Sequence, residues 1–234
     1  MPDLTLAPGR RERLLGISPT ALATLAAALL LLGWDFAGLD LALARWFGNS
    51  QGFPLRENWF LANVMHEGGR KLSWAVALAL CVAVKWPLGP LRQLSRSQRL
   101  YLAVTTLAAA LVVSLLKGVS PASCPWDLKE FGGVARYLHH WQLAPDGGPG
   151  HCFPAGHAAS GFSFLAGYFA FRDTNKTVAW VWLAAALTMG LVFGWGQQVR
   201  GAHFLSHNLW TGWLCWCVAW AMHAVWRPAP MAKD

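Results

Sequence analysis

Several apolar runs in this chain approach the roughly 20 residues that a helix needs to cross a bilayer. They leave little length for anything else. Of the 234 residues, 55% are hydrophobic, 13% are charged and 15 are tryptophan. A water-soluble domain of this size carries more charge. The runs therefore predict an all-α integral membrane bundle in a single domain. The net charge of +8 would suit nucleic acid, but no basic face interleaved with aromatics is present. The basic residues sit beside the apolar runs, as membrane topology requires.

Six spans are expected, roughly Ile17 to Trp34, Leu72 to Trp86, Leu100 to Leu116, His157 to Phe171, Thr177 to Gly194 and His203 to Trp226. They make a bundle over 17–226, flanked by tails at 1–16 and 227–234. A basic start before an apolar run also fits a signal peptide. The run continues to Trp34 without a small-residue cleavage pattern, which favours a span. Asp35 to Arg70 read as interfacial helices and turns. Pro87, Gly89 and Pro90 end the second span, and Arg92, Arg96 and Arg99 form a short basic loop.

An even number of spans places both termini on one face. That face carries eleven Lys and Arg (10, 11, 13, 85, 92, 96, 99, 172, 176, 227, 233), against eight on the other (45, 56, 70, 71, 117, 129, 136, 200). The excess, in short loops and tails, predicts cytoplasmic termini. Seven of the eight histidines (66, 139, 140, 151, 157, 203, 207) fall on or beside the opposite face, and His223 alone does not. One face is therefore expected to be chemical and the other to anchor.

Three stretches converge on the chemical face. Lys117 closes the third span, with Cys124-Pro125 after it. Pro154-Ala155-Gly156-His157 opens the fourth. Gly196 to His207 opens the sixth and holds Arg200, His203 and His207. On a helix, residues four apart share a face, so His203 and His207 are expected to, with Arg200 one turn ahead. Helix starts favour anions, and a helix end favours a cation. A lysine, an arginine and two helix starts around one pocket describe a phosphate site. Two histidines there divide the labour of attack on phosphorus and protonation of the leaving oxygen.

A zinc pair competes for His203 and His207. Zinc proteases carry Glu after the first histidine, where this chain has Phe204. No third ligand is visible, so no metal and no cofactor are expected. His139, His140 and His151 read as solvated loop residues. Cys81, Cys215 and Cys217 read as thiols within spans. Cys124 and Cys152 lie on the outer side beside motifs, and an oxidising compartment favours their pairing, with two free thiols as the competing state.

The order of these motifs resembles the type 2 phosphatidic acid phosphatase superfamily, which also includes vanadium haloperoxidases. That family carries lysine, six residues, Arg-Pro; then Pro-Ser-Gly-His; then Ser-Arg, five residues, His, three residues, Asp. The resemblance covers roughly Lys117 to Thr211. Here Cys124 stands for the first-motif arginine, Ala155 for the serine, Gly196-Gln197 for Ser-Arg, and His207 for the aspartate. The resemblance implies His203 as nucleophile, His157 as general acid and His207 as orienting partner. Lys117, Arg200 and Gly156 would bind phosphate, with Arg136 the weaker stand-in for an arginine. It implies a metal-independent membrane phosphatase of a lipid phosphate or lipid pyrophosphate. The expected setting is a bacterial-type inner membrane with a periplasmic site, and no nucleic acid. Lipid-to-lipid phosphotransfer and non-catalytic lipid binding are the alternatives. No oligomeric state is assigned.

Overall fold

Polar caps decide where three of the long helices begin. In the computed structural model, which describes residues 18–229, the Ser18 side chain accepts from the Ala21 amide and Pro19 occupies the first turn, starting α1 (Pro19–Phe36). Ser95 and Gln98 form a reciprocal capping box that starts α4 (Arg96–Val119). The Asn175 side chain accepts from Val178 N and starts α7 (Lys176–Val199). The capping box draws Arg96 into the first turn of α4 and Arg99 into the helix behind it, so the expected basic loop is shorter than its three arginines suggested. The expected tail 1–16 and most of 227–234 lie outside the described residues.

The other elements are α2 (Leu39–Ala44), a π-helical stretch Phe60–Gly68 that runs straight into α3 (Gly69–Ala83), a broken segment, and α8 (Leu205–Trp226). The broken segment comprises α5 (Ala159–Phe162), a 3₁₀ turn (Ser163–Leu165) and α6 (Ala166–Phe171). The described residues contain isolated bridges but no β-strand. The second expected span thus begins at Phe60 rather than Leu72, because the polar residues of 63–71 are absorbed into a helix. Three helices, α1, α4 and α7, are long and apolar enough to cross a membrane. The segment Ala159–Phe171 is shorter. Leu29, Leu30, Leu78, Leu111, Leu115 and Val181 all point outward, as a lipid-facing surface requires.

α4 lies at the centre, against α3, α6 and α8. α5 crosses α7 with almost no separation: a Cβ on Gly161 would stand 2.1 Å from the Gly190 amide nitrogen. Small residues permit such approaches between membrane helices. Asn208 Nδ2 donates to Gly194 O and ties α8 to the same helix. Ala155 N reaches the His207 carbonyl at 3.4 Å, so the turn before α5 is fastened to α8.

Two buried carboxylates complete one end of the bundle. Asp40 accepts from Trp34 Nε1 at 2.9 Å, from Ser206 N at 3.1 Å and from Ser206 Oγ. α8 has no capping side chain of its own, so this carboxylate, borrowed from α2, satisfies its first turn. Asp35 Oδ2 accepts from Trp141 Nε1 at 2.9 Å and Trp210 Nε1 at 2.8 Å, with His140 Nε2 3.3 Å away. His140, expected in solvent, is buried and stacked on Phe153.

Candidate active site

A glycine turn sets the geometry of the third motif. α7 continues to Val199, so Gly196, Gln197 and Gln198 form its last turn. Gly201 then adopts φ +77°, its amide returns to Gln198 O, and the Ala202 amide returns to Gln197 O, both at 2.9 Å. This pair of bonds is a Schellman ending, which needs the left-handed residue. A Cβ on Gly201 would also meet the Phe53 ring at 2.4 Å. Arg200 and His203 therefore do not share a helix, as the spacing suggested. Arg200 ends α7, and His203 sits in the extended link before α8.

Folding nevertheless brings the motifs together. A cavity of about 560 Å³ is lined by Lys117, Cys124, Gly156, His157, Arg200 and His203, among others. Lys117 Nζ donates to the His151 carbonyl at 2.6 Å. A Cβ on Gly156 would lie 3.3 Å from Lys117 Cδ, so a larger residue there would press on the lysine stem. Arg200 is fixed by Nε to the Arg56 carbonyl at 2.8 Å and by Nη1 to Gln197 Oε1 at 3.2 Å. Its Nη2 has no bonding partner among the described residues. His207 does not line the cavity. It is buried behind His203, ring centroids 5.9 Å apart, and its Nδ1 donates to the Cys152 carbonyl at 3.1 Å. Arg136 is exposed and lies outside the cavity. Cys124 and Cys152 form a disulfide with Cα atoms 5.1 Å apart. Those sulfurs lie near His203, but as a disulfide they offer no thiolate to a metal.

The family model described as the PAP2 superfamily matches residues 98–230, more than half of the chain and all three motifs. The chain belongs to the PAP2 superfamily. No curated protein and no solved structure matches it. Membership of the PAP2 superfamily supports phosphatase-type hydrolase activity.

The site of this PAP2 chain holds its histidines neutral. Nδ1 of His203 lies 3.4 Å from Cys152 Sγ, beside the main chain of the same residue. Those neighbours accept hydrogen, so the proton belongs on Nδ1, and Nε2 keeps the lone pair. Burial, and then the charge of Lys117, push His203 well below the ordinary imidazole range. Burial likewise pushes His157 down to about 4, with His66 adding to the effect. An uncharged imidazole is the form able to attack, whereas a general acid must first gain a proton.

Several cavity residues escaped the sequence reading, His66 and Glu67 among them. His66 and Glu67 project from the π-helical stretch, and both line the cavity. In the sequence they are two polar residues in an ambiguous segment, far from any motif. Gln197, at the position of the family's third-motif arginine, is buried and receives the Arg200 guanidinium. Thus the amide at the old arginine position anchors the arginine that follows it.

Proposed function

We propose that this protein is an integral membrane phosphatase that hydrolyses a lipid phosphate or lipid pyrophosphate through a phosphohistidine. The observation that carries the reading is the shape of the cavity. Its polar end, where the cations Lys117 and Arg200 stand beside the neutral His157 and His203, is continuous with an apolar gap between α3 and α4 lined by Trp74, Ala77, Leu107 and Ala110. A headgroup phosphate fits the first and an acyl or prenyl chain the second. The gap opens beside helices that face outward with leucine and valine, so a lipid reaches the site sideways.

In this mechanism Lys117 and Arg200 hold the phosphoryl oxygens. Nε2 of His203 attacks phosphorus, the bond to the leaving oxygen breaks, and His157 gives that oxygen a proton. Water then attacks the phosphohistidine, passes its proton to His157, and releases phosphate and neutral His203. Fixed cations supply the charge stabilisation, so no metal is required. The excess of Lys and Arg near the termini supports a periplasmic site in a bacterial-type inner membrane, with both termini cytoplasmic. Phosphate release from a panel of lipid phosphates, with and without chelator, tests the reading. Release that survives chelator supports it. Release abolished by chelator, binding without turnover, or phosphate appearing on a second lipid would each replace it.

A further inference from the structure

A second cluster of ionisable side chains, Asp35, Asp40 and His140, lies outside the cavity. One ligand atom from each stands within 4.8 Å of those of the other two. The three come from separate segments: the last turn of α1, the first turn of α2 and the 139–141 loop. All are buried, with 4%, 5% and 6% of their surface exposed. The surroundings are aromatic. Phe153 stacks on His140, and the indoles of Trp34, Trp141 and Trp210 donate to the carboxylates.

Hydrogen bonding leaves two of these side chains short. Asp35 receives both of its indole donors on Oδ2, and Oδ1 has no partner among the described residues. Nε2 of His140 points into the cluster, 3.3 Å from Asp35 Oδ2, yet makes no hydrogen bond to it. Asp40 takes two N–H groups on Oδ1 and the Ser206 hydroxyl on Oδ2. Buried polar atoms without partners are costly, and a bound ion is one of the few things that accounts for them. Charge is short as well. Indole and backbone N–H groups only donate, which favours carboxylates over carboxylic acids at both aspartates. Neither aspartate pairs with a lysine or arginine among the described residues. A protonated His140 would still leave one negative charge buried and uncompensated. A divalent cation with a neutral His140 brings the sum to zero.

We propose that Asp35, Asp40 and His140 bind a divalent transition-metal ion, zinc foremost, as a structural centre. One imidazole with two carboxylates is a ligand set that suits zinc. The ion gives Asp35 Oδ1 and His140 Nε2 the partner that each lacks, and Asp40 Oδ2 has a lone pair left beyond the Ser206 hydroxyl. It ties the end of α1 and the start of α2 to the 139–141 loop. Because Asp40 also holds the first turn of α8 through Ser206, the ion braces the helix that follows His203. None of its ligands lines the cavity, so it takes no part in phosphoryl transfer.

The test counts metal, not turnover. Full-length protein is expressed in medium containing zinc and manganese, purified in detergent and dialysed against EDTA, which strips exposed ions but not one enclosed by buried ligands. Elemental analysis is expected to find one such ion per chain. X-ray absorption is expected to show a shell of oxygen and nitrogen, at about 2.0–2.1 Å for zinc, with imidazole scattering and no sulfur. His140→Gln and Asp35→Asn should each lose the ion and lower Tm, whereas His203→Ala should keep it. Wild-type protein without stoichiometric metal after this growth would overturn the proposal. A shell containing sulfur would do the same, since it belongs to the cysteines beside His203, and so would an ion retained in His140→Gln. If a variant fails to fold, the wild-type count and spectrum decide alone. Phosphate release by the same dialysed protein bears on the phosphatase reading and not on this site.

Discussion

The sulfur of Cys152 lies 3.4 Å from Nδ1 of His203, and the carbonyl of the same residue accepts from Nδ1 of His207. One residue thus orients both histidines of the third motif, and the disulfide to Cys124 fixes that residue in place. Breaking the bridge by Cys124→Ala, or by reductant, should cost about tenfold to a hundredfold in kcat, since small misplacements of a nucleophile are costly. Helix content should be retained. Kinetics with mass spectrometry of non-reduced peptides checks this; full activity with free thiols would refute it.

His203→Ala should abolish the covalent phosphohistidine, while His157→Ala should slow its formation by about a hundredfold or more. His207→Ala should weaken activity without abolishing it. His207→Asp restores a negative charge next to the nucleophile and should preserve or raise the rate. Trapping labelled phosphate and mapping the modified residue decides the assignment. Label on His207 would overturn it.

Arg200 presents a guanidinium already held at Nε and Nη1. Lysine has the charge but not the fork. Arg200→Lys should therefore lose on the order of a hundredfold in kcat/KM with Tm little changed. Wild-type turnover in this variant would place the clamp elsewhere.

Burial holds His157 at about 4 and His203 well below the ordinary 6.5. The unfolded chain binds these protons first, so the stability tied to the neutral rings is whole above about pH 6.5 and is lost as the pH falls towards about 4. Tm should decline across that window, and His157→Gln should flatten the decline. The same shift moves the acid limb of activity, which an unperturbed histidine would put near pH 6.5, to lower pH. A limb at 6.5 in the wild-type protein would contradict the buried, neutral His203.

Much of this was legible in the chain. Of the six expected spans, the three that became α1, α4 and α7 were legible because apolar runs need no partner to be recognised, and Lys117, His157 and His203 stood in a fixed order that composition alone would not produce. What misled was local continuity. Arg200 and His203 have helical spacing, but Gly201 between them ends the helix, and a glycine at that place was the available signal. His66 and Glu67 enter the site through a contact across 91 positions, from His66 to His157, which no local pattern reveals. His140 looked solvated because its partners, Asp35 and Phe153, lie in other segments.

The cap on α8 has a consequence for where this protein can be divided. The matched family region begins at residue 98, yet the carboxylate that satisfies Ser206, two residues past the link that carries His203, belongs to Asp40. A fragment cut to the matched region would present an unsatisfied helix start directly behind His203. The first two helices thus support the candidate site from outside the boundaries that ancestry draws. Transplanting the motif-bearing region into another scaffold would require bringing an acidic residue along with it.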